Sequence, residues 1–356
     1  MSADHDRFQS FANTGAALLS ALLFGITTPV AKELLIGSHP LMVAGLLYAG
    51  SGLGLTLLVL VQERGSFHFG LSRSDRPWLA AAVAFGGVIA PALLMFGLSH
   101  ADAAAASLLL NLEAVFTAVM AWAFFREATS GQVVLGFVLI FIGSLALVWP
   151  TTLAGGQDPV ALAAIVGACL CWAADNNFTR RISGGDARAI AAVKGVAAGT
   201  TNIVLAGMLG ATVPAMAHLS GALVLGFFGY GLSLVLFIYS LRNLGTARTG
   251  AYFATAPFIG SGVAILLYGQ PVGWPFWIAA GCMAAGVWLH LTEHHEHEHV
   301  HEALTHTHSH SHDAHHRHEH PPGWDGREPH AHEHRHEPLR HRHPHFPDIH
   351  HGHSHG

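Results

Sequence analysis

The sequence places an acid where acids are costly. Glu113 lies about halfway along the apolar run 102–125, and a charged side chain at the centre of a hydrocarbon layer costs about 2.5–3.5 kcal/mol on insertion scales. Such an acid either carries a proton or cation from a central cavity, or stays protonated and hydrogen-bonded to a neighbouring helix, with Asn111 as a nearby partner. The first reading is favoured, because ionisable residues inside a membrane mark functional sites by default. A second cluster, Asp175-Asn176-Asn177, precedes Arg180-Arg181. At helical spacing Trp172, Asp175, Asn176 and Thr179 share one face. That face would line a cavity mouth, with the ring for stacking and the amide for selective hydrogen bonds. The alternative is an Asp–Arg pair that ends the helix. Tyr252 is a weaker binding candidate. Lys32-Glu33, at the end of the first apolar run, reads as an interfacial pair whose lysine snorkels outward. His100, Asp102, Lys194, Asn202, Tyr48, Tyr230 and Tyr239 are lesser signals, since aromatics near span ends usually belong to the interfacial belt.

The other chemistry-bearing residues are histidines. Of 30, six lie before residue 292, so twenty-four crowd the last stretch. They alternate with other residues: His297, His299 and His301; His306, His308 and His310; His332, His334 and His336; His341, His343 and His345. The stretch is duplicated at an offset of 35, His297-Glu-His-Val-His-Glu recurring as His332-Glu-His-Arg-His-Glu. In extended backbone, His-x-His puts alternate rings on one side, and neutral imidazole suits Zn, Ni, Co or Cu. With few apolar residues and several prolines, 292–356 is expected to be a disordered tail. It would buffer or sense metal, hand metal to a pathway, or respond to pH.

These groups need elements to hold them. The chain is 51% hydrophobic and 11% charged, against about 25% charged in soluble domains, and its mean hydropathy is +0.40. A spanning helix needs about 20 apolar residues. Ten such stretches appear, near 14–35, 39–61, 78–99, 102–125, 131–149, 160–180, 189–211, 218–241, 248–268 and 274–291. The net charge of -5 offers no basic stripe for nucleic acid. Cys169, Cys171 and Cys282 read as apolar packing residues, with no disulfide framework.

The ten stretches are two copies of five. At an offset of 143, Leu98 meets Leu241, Ala104 meets Ala247, Gly143 meets Gly286 and Glu127 meets Gln270; the first helices of the two copies pair separately, Phe24-Gly25 facing Trp172-Ala173. An odd number of crossings per copy turns the second copy upside down, the inverted-repeat plan of many secondary transporters. Charge agrees. With the N-terminus in the cytoplasm, the internal loops hold nine arginines (64, 73, 76, 126, 180, 181, 188, 242 and 248), while the external loops hold no Lys or Arg. That is the positive-inside pattern, and it places both termini inside.

The two five-helix units, Pro257-Phe258 midway through the ninth span and Glu127 in the turn before the fifth, resemble the EamA type of the drug/metabolite transporter superfamily over roughly residues 14–291. The first copy departs from the pattern with Glu113-Ala114, and the second with Gln270. The expected fold class is an all-α membrane protein with ten transmembrane helices in two inverted-topology repeats and a disordered cytoplasmic tail. The expected division is 1–13 as cytoplasmic N-terminus, 14–149 and 160–291 as the repeats, 150–159 as an external linker and 292–356 as the tail. The resemblance implies a secondary carrier in a bacterial inner membrane, exporting a small metabolite, amino acid or drug-like solute. No nucleotide-binding Gly-x4-Gly-Lys-Ser/Thr loop appears, no cofactor is required and no enzymatic constellation is visible. A divalent Ni, Co or Zn carrier and a metal-sensing or storage membrane protein are the alternatives. Monomer and homodimer are both open.

Overall fold

The computed structural model describes residues 2–62, 72–125, 131–153, 158–269, 272–292, 296–301, 305–310, 330–335 and 339–344. All ten expected stretches are helical. They are formed by α1 (Ser2–Leu34), α2 (Pro40–Gln62), α3 (Arg76–Ala82) and α4 (Ala90–His100), α5 (Ala103–Leu109) and α6 (Leu112–Phe125), α7 (Gly131–Leu153), α8 (Pro159–Ile182), α9 (Ala187–Met208), α10 (Met216–Gly226) and α11 (Ser233–Phe253), α12 (Ala256–Tyr268) and α13 (Trp274–Leu291). Among the described residues, seven helical segments are long and apolar enough to cross a membrane, and two shorter apolar helices cover Val134–Ala146 and Ala256–Tyr268. Large apolar side chains face outward, Leu57, Val61, Trp122, Leu266 and Trp288 each more than half exposed. In water such a surface would be a liability; facing lipid it is matched.

Local chemistry sets the helix ends. Asp158 caps α8 through Val160 N at 2.9 Å, with Pro159 at the first helical position and Arg180-Arg181 in the last turn. This is the usual polarity of cap, proline and cation. Asp186 caps α9, and Gly269, at φ 57°, closes α12 in the left-handed conformation a side chain would resist.

Four features differ from the expected spans and loops. The third and eighth carry π-helical turns, Val83–Ile89 and Phe227–Leu232. The fourth is broken at Leu110-Asn111 and the ninth at Ala254-Thr255. At the first break Asn111 Nδ2 donates to Leu108 O at 3.1 Å, the local side-chain bond that competes with the helical ladder. At the second, Thr255 Oγ1 donates to Tyr252 O at 2.7 Å, and Pro257 has no N–H to continue the ladder. Both pairs of features fall at or next to the 143-residue repeat offset. The loop expected between the eighth and ninth spans is instead helix, α11 running unbroken through Phe253. Likewise, α1 begins at Ser2, well before the expected first span.

Packing repeats as well. Helix α1 lies against α11 and α12 of the second copy, and α8 lies against α4 and α6 of the first. Helices α2 and α9 cross backbone to backbone: a Cβ on Gly52 would collide with Gly195 and Val196, and one on Gly199 with Ala49. Gly52, Gly195 and Gly199 thus let two apolar helices approach closely, while Gly50 on the same helix packs against Leu223 of α10. Helix α7 packs on α13.

The tail, expected without regular structure, carries four short strands among its described residues: β1 (Glu296–His301), β2 (Thr305–His310), β3 (His330–Arg335) and β4 (Leu339–Pro344). They pair antiparallel, β1 with β4 and β2 with β3. Composition argues against a buried core here, but not against ladders. Alternating sequence has period two, and backbone pairing needs no apolar face.

Candidate functional site

The break in the fourth span puts Glu113 in the first turn of α6, where free N–H groups and the helix dipole favour negative charge. Its side chain is buried. Glu113 Oε1 accepts a hydrogen bond from Asn176 Nδ2 at 2.8 Å, and the same amide lies 3.3 Å from Thr117 Oγ1, one turn further along α6. Asn177 Nδ2 donates to Thr117 O at 3.2 Å. The two asparagines of α8 therefore clamp the first turns of α6, and the bond to Glu113 joins the two copies.

The preceding residue serves a different network. Asp175 forms an ion pair with Lys194 of α9 and accepts from Thr179 Oγ1 at 3.0 Å. Both partners of the pair are almost fully buried, Lys194 being 2% exposed. Asp175 lies against the π-helical turn of the third span, where a Cβ on Gly86 would occupy the space of its carboxyl. The carbonyl of Gly86 receives Tyr48 Oη at 2.6 Å and Trp172 Nε1 at 3.0 Å. A π-turn disturbs the regular bond ladder, and here one donor from each copy is directed at a carbonyl within it. Aromatic rings close the site on the other side: Phe24 meets Trp172 edge-on at 5.7 Å, Tyr230 at 5.8 Å and Phe253 at 5.3 Å, while Tyr48 meets Tyr230 at 5.0 Å.

The structure thus brings Glu113, Asn176, Asp175 and Trp172 together, on the first turns of α6 and one face of α8. Asn111 departs from its expected role beside Glu113. Its amide goes to Leu108 O and to Met283 Sδ at 3.7 Å, and its buried Oδ1 has no hydrogen-bond partner among the described residues. Asp175 pairs with Lys194, because that lysine reaches across from the adjacent helix. Tyr252 is half-buried near the second break, its carbonyl taking the Thr255 hydroxyl. Lys32 is held at the end of the neighbouring span. Its Nζ donates to Leu98 O at 2.7 Å and Ala101 O at 2.6 Å, satisfying carbonyls that α4 leaves open at its end. The tail histidines His297, His299, His301, His306, His308, His310, His332, His334, His341 and His343 lie on strands; His336 and His345 fall outside the described residues.

Sequence reasoning missed Gly86 and Thr117. Thr117 is an ordinary hydroxyl in an apolar helix and gives no signal. Gly86 has one: at offset 143 it meets Gly229, and both lie in the π-turns. A Cβ on Gly229 would collide with the Thr27 hydroxyl. Thr27 stands to α1 as Asp175 stands to α8, three residues beyond the matched Phe24 and Trp172. One geometry is built twice, with a hydroxyl in one copy and a carboxylate in the other.

Among the described residues no group of three or more His, Cys, Asp or Glu side chains gathers as metal ligands. A family model described as the EamA-like transporter family matches residues 14–149 and 159–292. A curated relative, an "Uncharacterized transporter" of Methanothermobacter thermautotrophicus, is 25% identical over 287 residues, covering 76% of this chain and 84% of its own. A protein known from a crystal structure superposes with a TM-score of 0.61 at 17% identity, over 77% of this chain and 95% of the other, a likeness of fold alone.

Proposed function

The chain belongs to the EamA-like transporter family, and from that premise we propose that it is a secondary carrier exporting a small metabolite, amino acid or drug-like solute by alternating access. The observation that carries the reading is the Glu113–Asn176 hydrogen bond, a buried carboxylate bridging the two copies beside a broken span. Broken helices at the repeat interface are where such carriers bind solute and coupling ions. Charged, Glu113 is an acceptor for Asn176. Protonated, it loses acceptor strength and becomes a donor itself. Proton uptake then loosens the bond between α6 and α8 and frees the copies to rock. Trp172, Asp175 and the unpartnered Asn111 Oδ1 supply a stacking face, a charge and an acceptor for the solute.

In the proposed organisation, 14–149 and 160–291 are inverted repeats in a bacterial inner membrane, joined by an external linker 150–159, with 1–13 and the tail 292–356 cytoplasmic. The tail binds Zn, Ni, Co or Cu and regulates transport. Substrate screening in proteoliposomes with an imposed pH gradient tests the reading. Glu113→Gln should insert normally and lose gradient-driven transport by at least about tenfold, a loss of about 1.4 kcal/mol of coupling. Undiminished, pH-dependent transport by that variant removes Glu113 from the mechanism.

The abundance of tail histidines supports a second reading, in which the solute is itself a divalent metal. Growth under Ni, Co, Zn and antimetabolite stress separates the two. If the tail only senses metal, its deletion changes metal phenotypes alone. If bundle variants such as Glu113→Gln change metal phenotypes too, metal is the cargo.

A further inference from the structure

We propose that two cations, Lys32 and Arg242, are latches that close the two mouths of the Glu113–Asn176 site; this deepens, and rests on, the reading of the protein as an alternating-access carrier. Lys32 Nζ, in the last turn of α1, donates to Leu98 O at 2.7 Å and Ala101 O at 2.6 Å, where α4 stops. Arg242, on α11, donates to Ser183 O at 3.0 Å and to Gly185 O, in the turn that ends α8. Carbonyls at a helix end have no partner within their own helix, and a charged donor makes the stronger kind of hydrogen bond to them.

The two ties are one device built twice, with donor and acceptor exchanged. Matching Phe24 to Trp172, an offset of 148, carries Leu35 and Gly37 onto Ser183 and Gly185; the offset of 143 carries Leu98 and Ser99 onto Leu241 and Arg242. In each copy, therefore, the tie joins the end of the first span to the end of the third. In the first copy the cation stands on the first span. In the second it stands on the third, at the position where Ser99 of the first copy turns back onto Phe96 O at 2.6 Å. Packing of α1 on α4, and of α8 on α11, is sparse beside that of α1 on α11, so each latch bridges helices that little else holds together. In the proposed inverted topology the Lys32 tie lies outside and the Arg242 tie inside.

Both ties sit beyond the site. Lys32 is eight residues past Phe24, about 12 Å along α1, and Ser183 is eleven residues past Trp172, about 16 Å along α8; those two rings meet at 5.7 Å. The outer mouth has a further tie, from the second copy: Tyr268 Oη, at the end of α12, donates to Pro29 O at 2.7 Å, three residues before Lys32. Neither cation is fully buried, Lys32 being partly and Arg242 openly exposed. A latch that opens thus hands its charge to water, unlike the buried Asp175–Lys194 pair, and either can release while the other holds. Alternating exposure of a fixed site requires that independence.

In full-length protein with Cys169, Cys171 and Cys282 replaced by serine, Thr117→Cys reports which mouth is open, because Thr117 Oγ1 lies 3.3 Å from the Asn176 amide. A membrane-impermeant maleimide is applied to intact cells or to inside-out vesicles. Lys32→Met should speed labelling in cells roughly tenfold, as the loss of one hydrogen bond to a charged group implies, and should not speed it in vesicles. Arg242→Met should do the reverse. Tyr268→Phe, which loses only a hydroxyl, should speed labelling in cells alone, and Lys32→Arg, which keeps the donors, should stay near the parent. Unchanged rates in both Lys32→Met and Arg242→Met, or faster labelling from both sides in either one, overturn the latches and leave the carrier reading to the Glu113→Gln assay. Labelling of Thr117→Cys from neither side in any variant overturns both.

Discussion

Lys194 and Asp175 form an ion pair with almost no exposure to solvent. Burying two charges is costly enough that the pair adds little net stability, yet removing one partner strands the other and costs about 3–5 kcal/mol. Lys194→Met should therefore lower the melting temperature in detergent far more than a surface substitution does. Asp175→Asn/Lys194→Met, which removes both charges, should recover most of the loss. A double variant as unstable as the single one would mean that the pair does not carry the effect. Glu113 was legible in the sequence because a lone acid interrupting an apolar run is visible without any fold. The partner of Asp175 was not, since Lys194 lies on the next helix and only packing decides which of several nearby cations arrives. Gly86 was hidden among 40 glycines; its role appears only once Asp175 is seen to fill the space a Cβ would take.

At the scale of elements, apolar length and the 143-residue echo located ten stretches that are helical among the described residues, because a hydrocarbon layer demands about 20 apolar residues per crossing and a duplication repeats them. Breaks and π-turns escaped, because a window long enough to see a span averages over the single turn where Asn111 or Thr255 diverts a backbone bond. The caps were locally encoded, and Asp186 shows how. Burial pushes its carboxyl up, but the Arg188 guanidinium, the Arg188 N–H and the Ala189 N–H together outweigh burial and hold it below the usual 3.8. The group lies between spans, on the connection into α9. Since its folded value is depressed, its stabilisation is fully present above the unfolded value and is lost only as pH falls through the lower, folded one. Asp186→Ala should thus cost about 1 kcal/mol, as cap removals do. The difference from wild type should be constant from pH 8 to 5 and shrink only in strong acid. A cost that vanished near pH 6 would assign the effect to another group. Arg188 also reaches Gln62 Oε1 at 2.8 Å, so thermal melts of Gln62→Ala separate the cap from the bridge to α2.

The whole molecule poses the question of orientation, and the loops before the third and eighth spans decide it. Ser74 precedes α3 and Thr212 precedes α10, both exposed, and the repeat makes the two loops equivalent. Two copies inserted the same way up would place both on one side of the membrane. Five crossings per copy would place them on opposite sides, and the arginines favour that arrangement: Arg73 and Arg76 flank Ser74, whereas no Lys or Arg lies near Thr212. The exchange of packing, in which α1 meets α11 and α12 while α8 meets α4 and α6, is what two related halves produce when they face one another across an axis. In a background with Cys169, Cys171 and Cys282 replaced by serine, a membrane-impermeant maleimide applied to intact cells should label Thr212→Cys and His39→Cys. It should label Ser74→Cys and Asn243→Cys only after the cells are opened. Labelling of Ser74→Cys and Thr212→Cys from the same side would show parallel copies, and the proposed site between Glu113 and Asn176 would then lack the alternating exposure that a carrier needs.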